Sequence, residues 1–142
     1  KYAEDEIVVV APSDHSLTRK RRVTLDELSK EPWIIREEGS GTRMAVEKVL
    51  RRKGKSLRQF NVVMEMGSTS SVKEGVKARL GLAFLSGRAT EEEVRQASLS
   101  RIDVEGFEPI SRQIYIVFHR RRTLSPMGLA FLRFLKSRKE KH

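Results

Sequence analysis

Short apolar strands alternate with helix-period segments along the whole chain, and this alternation limits the fold more than any other feature. IVVVA at 7–11 is apolar on both faces, as in a buried strand of a parallel sheet. Thr24-Leu25-Asp26-Glu27-Leu28 carries a capping box, with Thr24 at the helix start and Glu27 three residues on. Pro32 closes that helix and Trp33-Ile34-Ile35 reads as a strand. Residues 42–53 read as a helix with Ala45, Val46, Val49 and Leu50 on one face, stopped by Gly54. NVVMEM at 61–66, a helix over 70–79 and LAFL at 82–85 continue the pattern. A helix opens at Thr90-Glu91-Glu92-Glu93, and strands are expected at 99–105 and 112–119. Ser125-Pro126 starts a last helix. The expected fold class is α/β, with a largely parallel central sheet flanked by helices.

In such sheets ligands sit at the carboxyl ends of strands, where loops lead into helices. Two loops there combine glycine with hydroxyls. One runs Glu37-Glu38-Gly39-Ser40-Gly41-Thr42; the other runs Gly67-Ser68-Thr69-Ser70-Ser71. Glycine lets a ligand approach the backbone closely. A helix start offers free N–H groups and a partial positive charge, and hydroxyls add donors for a carboxylate, sulfate or phosphate. Each loop alone could be an ordinary N-cap. A cap needs one hydroxyl, however, and these loops carry two and four. Within the second loop Ser70 or Thr69 is expected to cap, Ser68 and Thr69 to face the ligand, and Ser71 to be incidental. Arg43, in a first helical turn, opposes the helix dipole; it either pairs with Glu37 or Glu38 or reaches a bound anion.

Composition narrows the chemistry. The 142 residues suit one domain or part of a two-lobed one. There is no cysteine, so disulfides and thiolate zinc sites are excluded, which fits a reducing compartment. His15, His119 and His142 are scattered, so no metal site is expected. No nucleophile has a base beside it in sequence, so neither an enzyme nor a cofactor is expected. Apolar runs are too short to span a bilayer. The chain opens at Lys1 with no methionine, so a preceding segment is expected. Net charge is +10, clustered at 19–22, 51–55, 120–122 and 136–142. These runs read as solvated charge at element ends rather than a nucleic-acid patch, since no aromatic residues interleave them for base stacking.

The order IVVVAPSDHSL, VTLDELSKEPWIIREEGSGTR, VVMEMGSTSSVKEGVKARLGLAFLS and SPMGLAFLRFL resembles the effector-binding region of LysR-type transcriptional regulators, over essentially the whole chain. The wording is closest to members associated with sulfur, selenium or carbon assimilation. The resemblance implies a cytoplasmic protein whose N-terminal winged helix-turn-helix, absent here, reads DNA. It implies a regulatory region of two lobes, like type 2 periplasmic binding proteins, with a small and often anionic metabolite in the cleft between them. Residues 1–12 would then cross from the first lobe, 13–106 would form the second lobe, and 107–142 would return as crossover strand and last helix of the first. It implies effector contacts from Gly39, Ser40, Gly41, Thr42 and Arg43, and from Gly67, Ser68, Thr69 and Ser70. The alternative is the anion-binding lobe of an extracytoplasmic transport protein.

Two features stand apart from the family pattern. Ser86 follows the strand at 82–85 where many members have proline. Most of the first lobe is also absent, yet the last helix bears Met127, Phe131, Phe134 and Leu135 on one face, broadened by Leu129 and Leu132. That face is expected to bury either against the chain's own second lobe or against another copy, and a homo-oligomer is expected, this helix being one route to it.

Overall fold

The computed structural model describes residues 1–107, 109–119 and 121–139. Arg120, the end of the last basic run and His142 lie outside the described residues. The elements in order are β1 (Ala3–Pro12), α1 (Leu25–Lys30), β2 (Pro32–Arg36), α2 (Gly41–Arg52), β3 (Asn61–Met66), α3 (Thr69–Lys77), β4 (Ala83–Ser86), α4 (Glu91–Arg95), β5 (Leu99–Ile102), β6 (Ile110–Ile114) and α5 (Pro126–Lys139). The expected strand at 112–119 begins earlier and ends at Ile114.

The sheet is mixed, which corrects the expectation of a largely parallel one. β1 pairs antiparallel with β4, setting Val8 opposite Leu85, and antiparallel with β5, setting Val10 opposite Arg101. β2 and β3 form a parallel ladder, from Pro32–Asn61 to Arg36–Met66. A parallel bridge joins Trp33 to Leu82, just ahead of β4. The apolar run in β1 therefore reports a central strand, but not its direction. Burial on both faces makes a strand apolar throughout whichever way its neighbours run.

Two compact units are present. One comprises Lys1–Glu4 and the chain from Gln113 onward; the other is Asp5–Arg112. The larger unit takes in residues 5–12 and 107–112, the segments expected to be crossovers, because Ile7, Val9, Val10, Ala11 and Ile110 are core residues. Trp33 anchors that core at zero exposure. Its ring stacks on Phe84 at 4.6 Å and meets Phe60 edge-on at 5.2 Å, and its Nε1–H donates to Leu28 O at 2.7 Å. A Cβ on Gly81 would lie 2.7 Å from Pro32 O, so only glycine lets this segment close against β2.

Local chemistry explains the helix ends. The capping box of α1 is formed in full: Thr24 Oγ1 accepts from Glu27 N–H, and Glu27 accepts from Thr24 N–H. Lys20 also donates to Glu27. These bonds, Lys20 first, hold the Glu27 carboxyl at about 2 rather than 4.5. A carboxyl with a depressed folded value contributes stability that is complete above its unfolded value and is lost as pH falls through the folded one. Urea midpoints are therefore expected to drop between about pH 4.5 and about pH 2 more steeply for this chain than for Glu27→Gln. Parallel curves for the two proteins would discount this box as an acid-sensitive element. At the other end, Ser125 Oγ accepts from Gly128 N–H at 3.1 Å and opens α5. Met127, Phe131 and Phe134 on α5 are exposed, Met127 at 80%.

Candidate functional site

The parallel pairing of β2 and β3 brings both glycine–hydroxyl loops to the same end of adjacent strands, since Arg36 and Met66 are register partners. Arg36 links the two loops. Its guanidinium donates to both oxygens of Glu37, at 2.7 and 2.8 Å, and to Thr69 Oγ1 at 2.9 Å. Arg36 beside it holds the Glu37 carboxyl below its ordinary value, and Glu37 in turn raises Arg36.

The two helix starts differ. At α3, Ser68 is the N-cap: its Oγ accepts from Ser71 N–H at 3.0 Å and donates to Ser71 Oγ at 2.8 Å. This corrects the expected division of that loop. Ser68 caps rather than Ser70 or Thr69, and Ser71 is its partner rather than incidental. Ser68 sits in extended backbone one residue before the helix, where a side-chain oxygen reaches the third helical N–H.

At α2, Ser40 holds the N-cap position but makes no side-chain capping bond. Gly39 carries φ +86°, a left-handed turn that suits glycine and is closed by Ser40 N–H to Glu37 O at 3.1 Å. Ser40 and Thr42 are both buried. The N–H groups of Gly41, Thr42 and Arg43 have no acceptor among the described residues, since the first backbone bond runs from Met44 N–H to Ser40 O at 2.9 Å. An uncapped first turn of a 12-residue helix presents donors and a partial positive charge.

Among the described residues the Arg43 guanidinium makes no ion pair with Glu37 or Glu38, although its charge helps to hold the Glu37 carboxyl down. Its Nε donates to Glu47 at 2.9 Å and its Nη1 to Glu65 at 2.7 Å and Arg36 O at 3.2 Å. Glu47 first, then Glu65, raises its guanidinium further above its ordinary value. Arg43 thus ties α2 to β3.

The cation at the turn is Arg112, which sequence reading missed. Its Nη1 donates to Thr42 Oγ1 at 3.2 Å, and the same atom lies 3.8 Å from where a Cβ on Gly41 would sit. Its Nε and Nη2 hold Asp5 Oδ2 at 2.8 and 2.7 Å. Asp5 is buried and also accepts from Ser86 Oγ at 2.8 Å. Ser86 in turn accepts from Ala89 N–H at 3.1 Å. Proline at position 86 could donate nothing to Asp5, so the departure from the family pattern supplies a link in this chain of bonds. The bonded line runs from β4 through β1 and β6 to the first turn of α2. Arg112 and Asp5 lie 107 residues apart, in strands whose patterns signal only burial.

A recess of about 720 Å³ lies elsewhere, under the connection between β5 and β6. Its charged lining sets Glu6, Asp103 and Glu105 against Arg22 and Arg101, a balance that does not concentrate an anion. Among the described residues no group of histidines and acids could hold a metal ion, and no helix is long and apolar enough to cross a membrane.

Residues 1–140 match the family model described as LysR substrate binding domain. The chain is 39% identical over 136 residues to the RuBisCO operon transcriptional regulator of Allochromatium vinosum, covering 96% of this chain and 44% of that protein. It is 36% identical over 134 residues to the HTH-type transcriptional activator CmpR of Synechocystis, covering 94% and 43%. Among solved structures, the CcmR regulatory domain of Synechocystis in complex with 2-PG aligns with a TM-score of 0.82 at 30% identity, over 97% of this chain and 64% of that one. The effector-binding domain of QuiR in complex with shikimate shares the fold at 14% identity and a TM-score of 0.73, over 99% of this chain and 64% of that one. The chain therefore spans less than half the length of these curated relatives and about two thirds of these solved domains. The proteins compared are transcriptional regulators, neither enzymes nor transport proteins.

Proposed function

Because the chain belongs to the LysR substrate-binding-domain family, we propose that it senses a small anionic metabolite through the first turn of α2. The single observation that carries this reading is the uncapped turn of α2 with Thr42 and Arg112 beside it. Three N–H groups, a buried hydroxyl at Ser40 and a guanidinium half-committed to Asp5 converge there. An oxyanion satisfies all of them together. Gly39 and Gly41 keep the approach open, and Arg43 holds the helix in place. Gly67, Ser68, Thr69 and Ser70 form the adjoining wall, with Thr69 tethered through Arg36. A first lobe of the kind the family carries would complete the site.

The effector is a carboxylate, sulfate or phosphate compound, and the 2-PG held by the Synechocystis relative is the first probe to try. In an intact cytoplasmic regulator, sequence-specific DNA reading falls to an N-terminal helix-turn-helix, and effector binding shifts the populations of its oligomer. The exposed apolar face of α5 supports contact between copies. A single monomeric boundary in sedimentation across concentration would remove that contact.

Thermal-shift and calorimetric titration with 2-PG and other anionic metabolites tests the reading, because a ligand of the native state raises its stability. Thr42→Val keeps the shape and loses the hydroxyl, so binding is expected to weaken by up to about tenfold. An unchanged Kd in this variant sinks the assignment. Ser68→Ala should lower stability by about 1 kcal/mol through the lost cap, and lower affinity as well. Reduced stability at unaltered affinity would remove the second loop from the site.

A further inference from the structure

We propose that a basic face of the larger unit, built from residues 19–22 and 51–58, docks on the phosphate backbone of duplex DNA. The two runs are far apart in sequence, and the fold brings them together around one connection. Val23, directly after the first run, pairs with that connection: Val23 N–H donates to Asp103 O at 2.9 Å and Glu105 N–H to Val23 O at 2.8 Å. Lys53, at the end of α2, donates to Gly106 O and lies over the Phe107 ring at 5.9 Å. Lys55 meets Asp26 at 3.2 Å, at the start of the helix that follows the first run. Residues 103–107 are thus flanked by one run on each side.

The lysines here serve internal contacts and the arginines do not. Lys20 pairs with Glu27, Lys53 with a carbonyl and Lys55 with Asp26. Arg19, Arg21, Arg22, Arg51, Arg52 and Arg58 are exposed, and none makes a side-chain bond among the described residues. Nine cationic side chains stand against the carboxylates of Asp26, Glu27, Asp103 and Glu105. The C-terminus of α2 accounts for a cation or two beside it through the helix dipole. It accounts for none of 19–22.

The composition of the face selects its occupant. Arginine presents a planar fork of donors that matches phosphate. The large exposed apolar residues of this unit are Met44, Val62, Val63, Met64 and Leu80, and none falls within 19–22, 51–58 or 103–107. The ring on this face, Phe107, is half-buried with Lys53 over it, so single strands have little to stack on. Without an apolar centre, a protein partner lacks its usual anchor. A duplex backbone needs neither, because it is bound through charge and counterion release. This contact carries no sequence information and acts beside the α2 site, independently of any effector.

The test titrates this chain into a labelled duplex of scrambled sequence, read by fluorescence anisotropy from about 50 to about 200 mM salt. Six free arginines predict a slope of log affinity against log salt near about −5. Arg21→Gln/Arg22→Gln and Arg51→Gln/Arg52→Gln should each reduce that slope by about 2. Arg133→Gln/Lys136→Gln on α5 should leave it alone, and Trp33 emission should report an unaltered fold in all three. The proposal is overturned by an unchanged slope in both arginine pairs, by loss confined to the α5 variant, or by poly-glutamate competing as well as duplex DNA.

Discussion

Trp33→Ala is expected to cost about 3–5 kcal/mol, the usual range for removing a fully buried large aromatic. Three effects combine. The indole sits at zero exposure between Phe84 and Phe60, so truncation opens a cavity lined by rings that are themselves held in place. Leu28 O loses the Nε1–H donor that reaches it at 2.7 Å inside the core. The stacked and edge-on ring contacts are lost as well. Trp33→Phe keeps most of the volume and gives up only the hydrogen bond and some packing, so it should recover more than half of the loss. Urea unfolding followed by circular dichroism measures both. A Trp33→Ala midpoint close to that of the parent would mean that the aromatic cluster is not the centre of stability.

Arg112→Ala is the second large effect, and it separates stability from sensing. Asp5 is almost wholly buried, with a side-chain exposure of 2%, and Arg112 supplies two of its bonds. Removing the guanidinium leaves a buried carboxylate with Ser86 as its remaining side-chain partner among the described residues, at a cost of about 3 kcal/mol or more. The ligand site loses its cation in the same step, which should weaken anion binding at least about tenfold. The double variant Asp5→Asn/Arg112→Met removes the buried charge together with its partner. It should regain most of the stability, because a buried pair replaced as a unit costs little. It should not regain affinity. Recovered binding in the double variant would show that Arg112 acts on the site only through the fold.

Local chemistry carried much of this molecule. The capping box at Thr24 and Glu27 involves residues three apart, and its bonds form as the sequence predicts. The glycine–hydroxyl loops at 39–43 and 67–70 fall at helix starts that short-range patterns mark, and their parent strands are neighbours. The family likeness, spread over the whole chain, is matched by the family model over residues 1–140.

Other features depended on groups that meet only in three dimensions. Alternation of helices and strands could not reveal that β1 runs antiparallel to β4 and β5, because a strand buried on both faces is apolar in either direction. Four adjacent hydroxyls could not tell which one caps; backbone angles at Ser68 made that choice. Arg43 stood beside the candidate loop in sequence and turned instead to Glu47 and Glu65. Arg112 took its place from 70 residues away. Caps, turns and amphipathic faces arise from neighbours along the chain, so one sequence suffices to read them. The direction of a strand and the partner of a charge arise from long-range packing, where geometry chooses among several chemically equivalent residues.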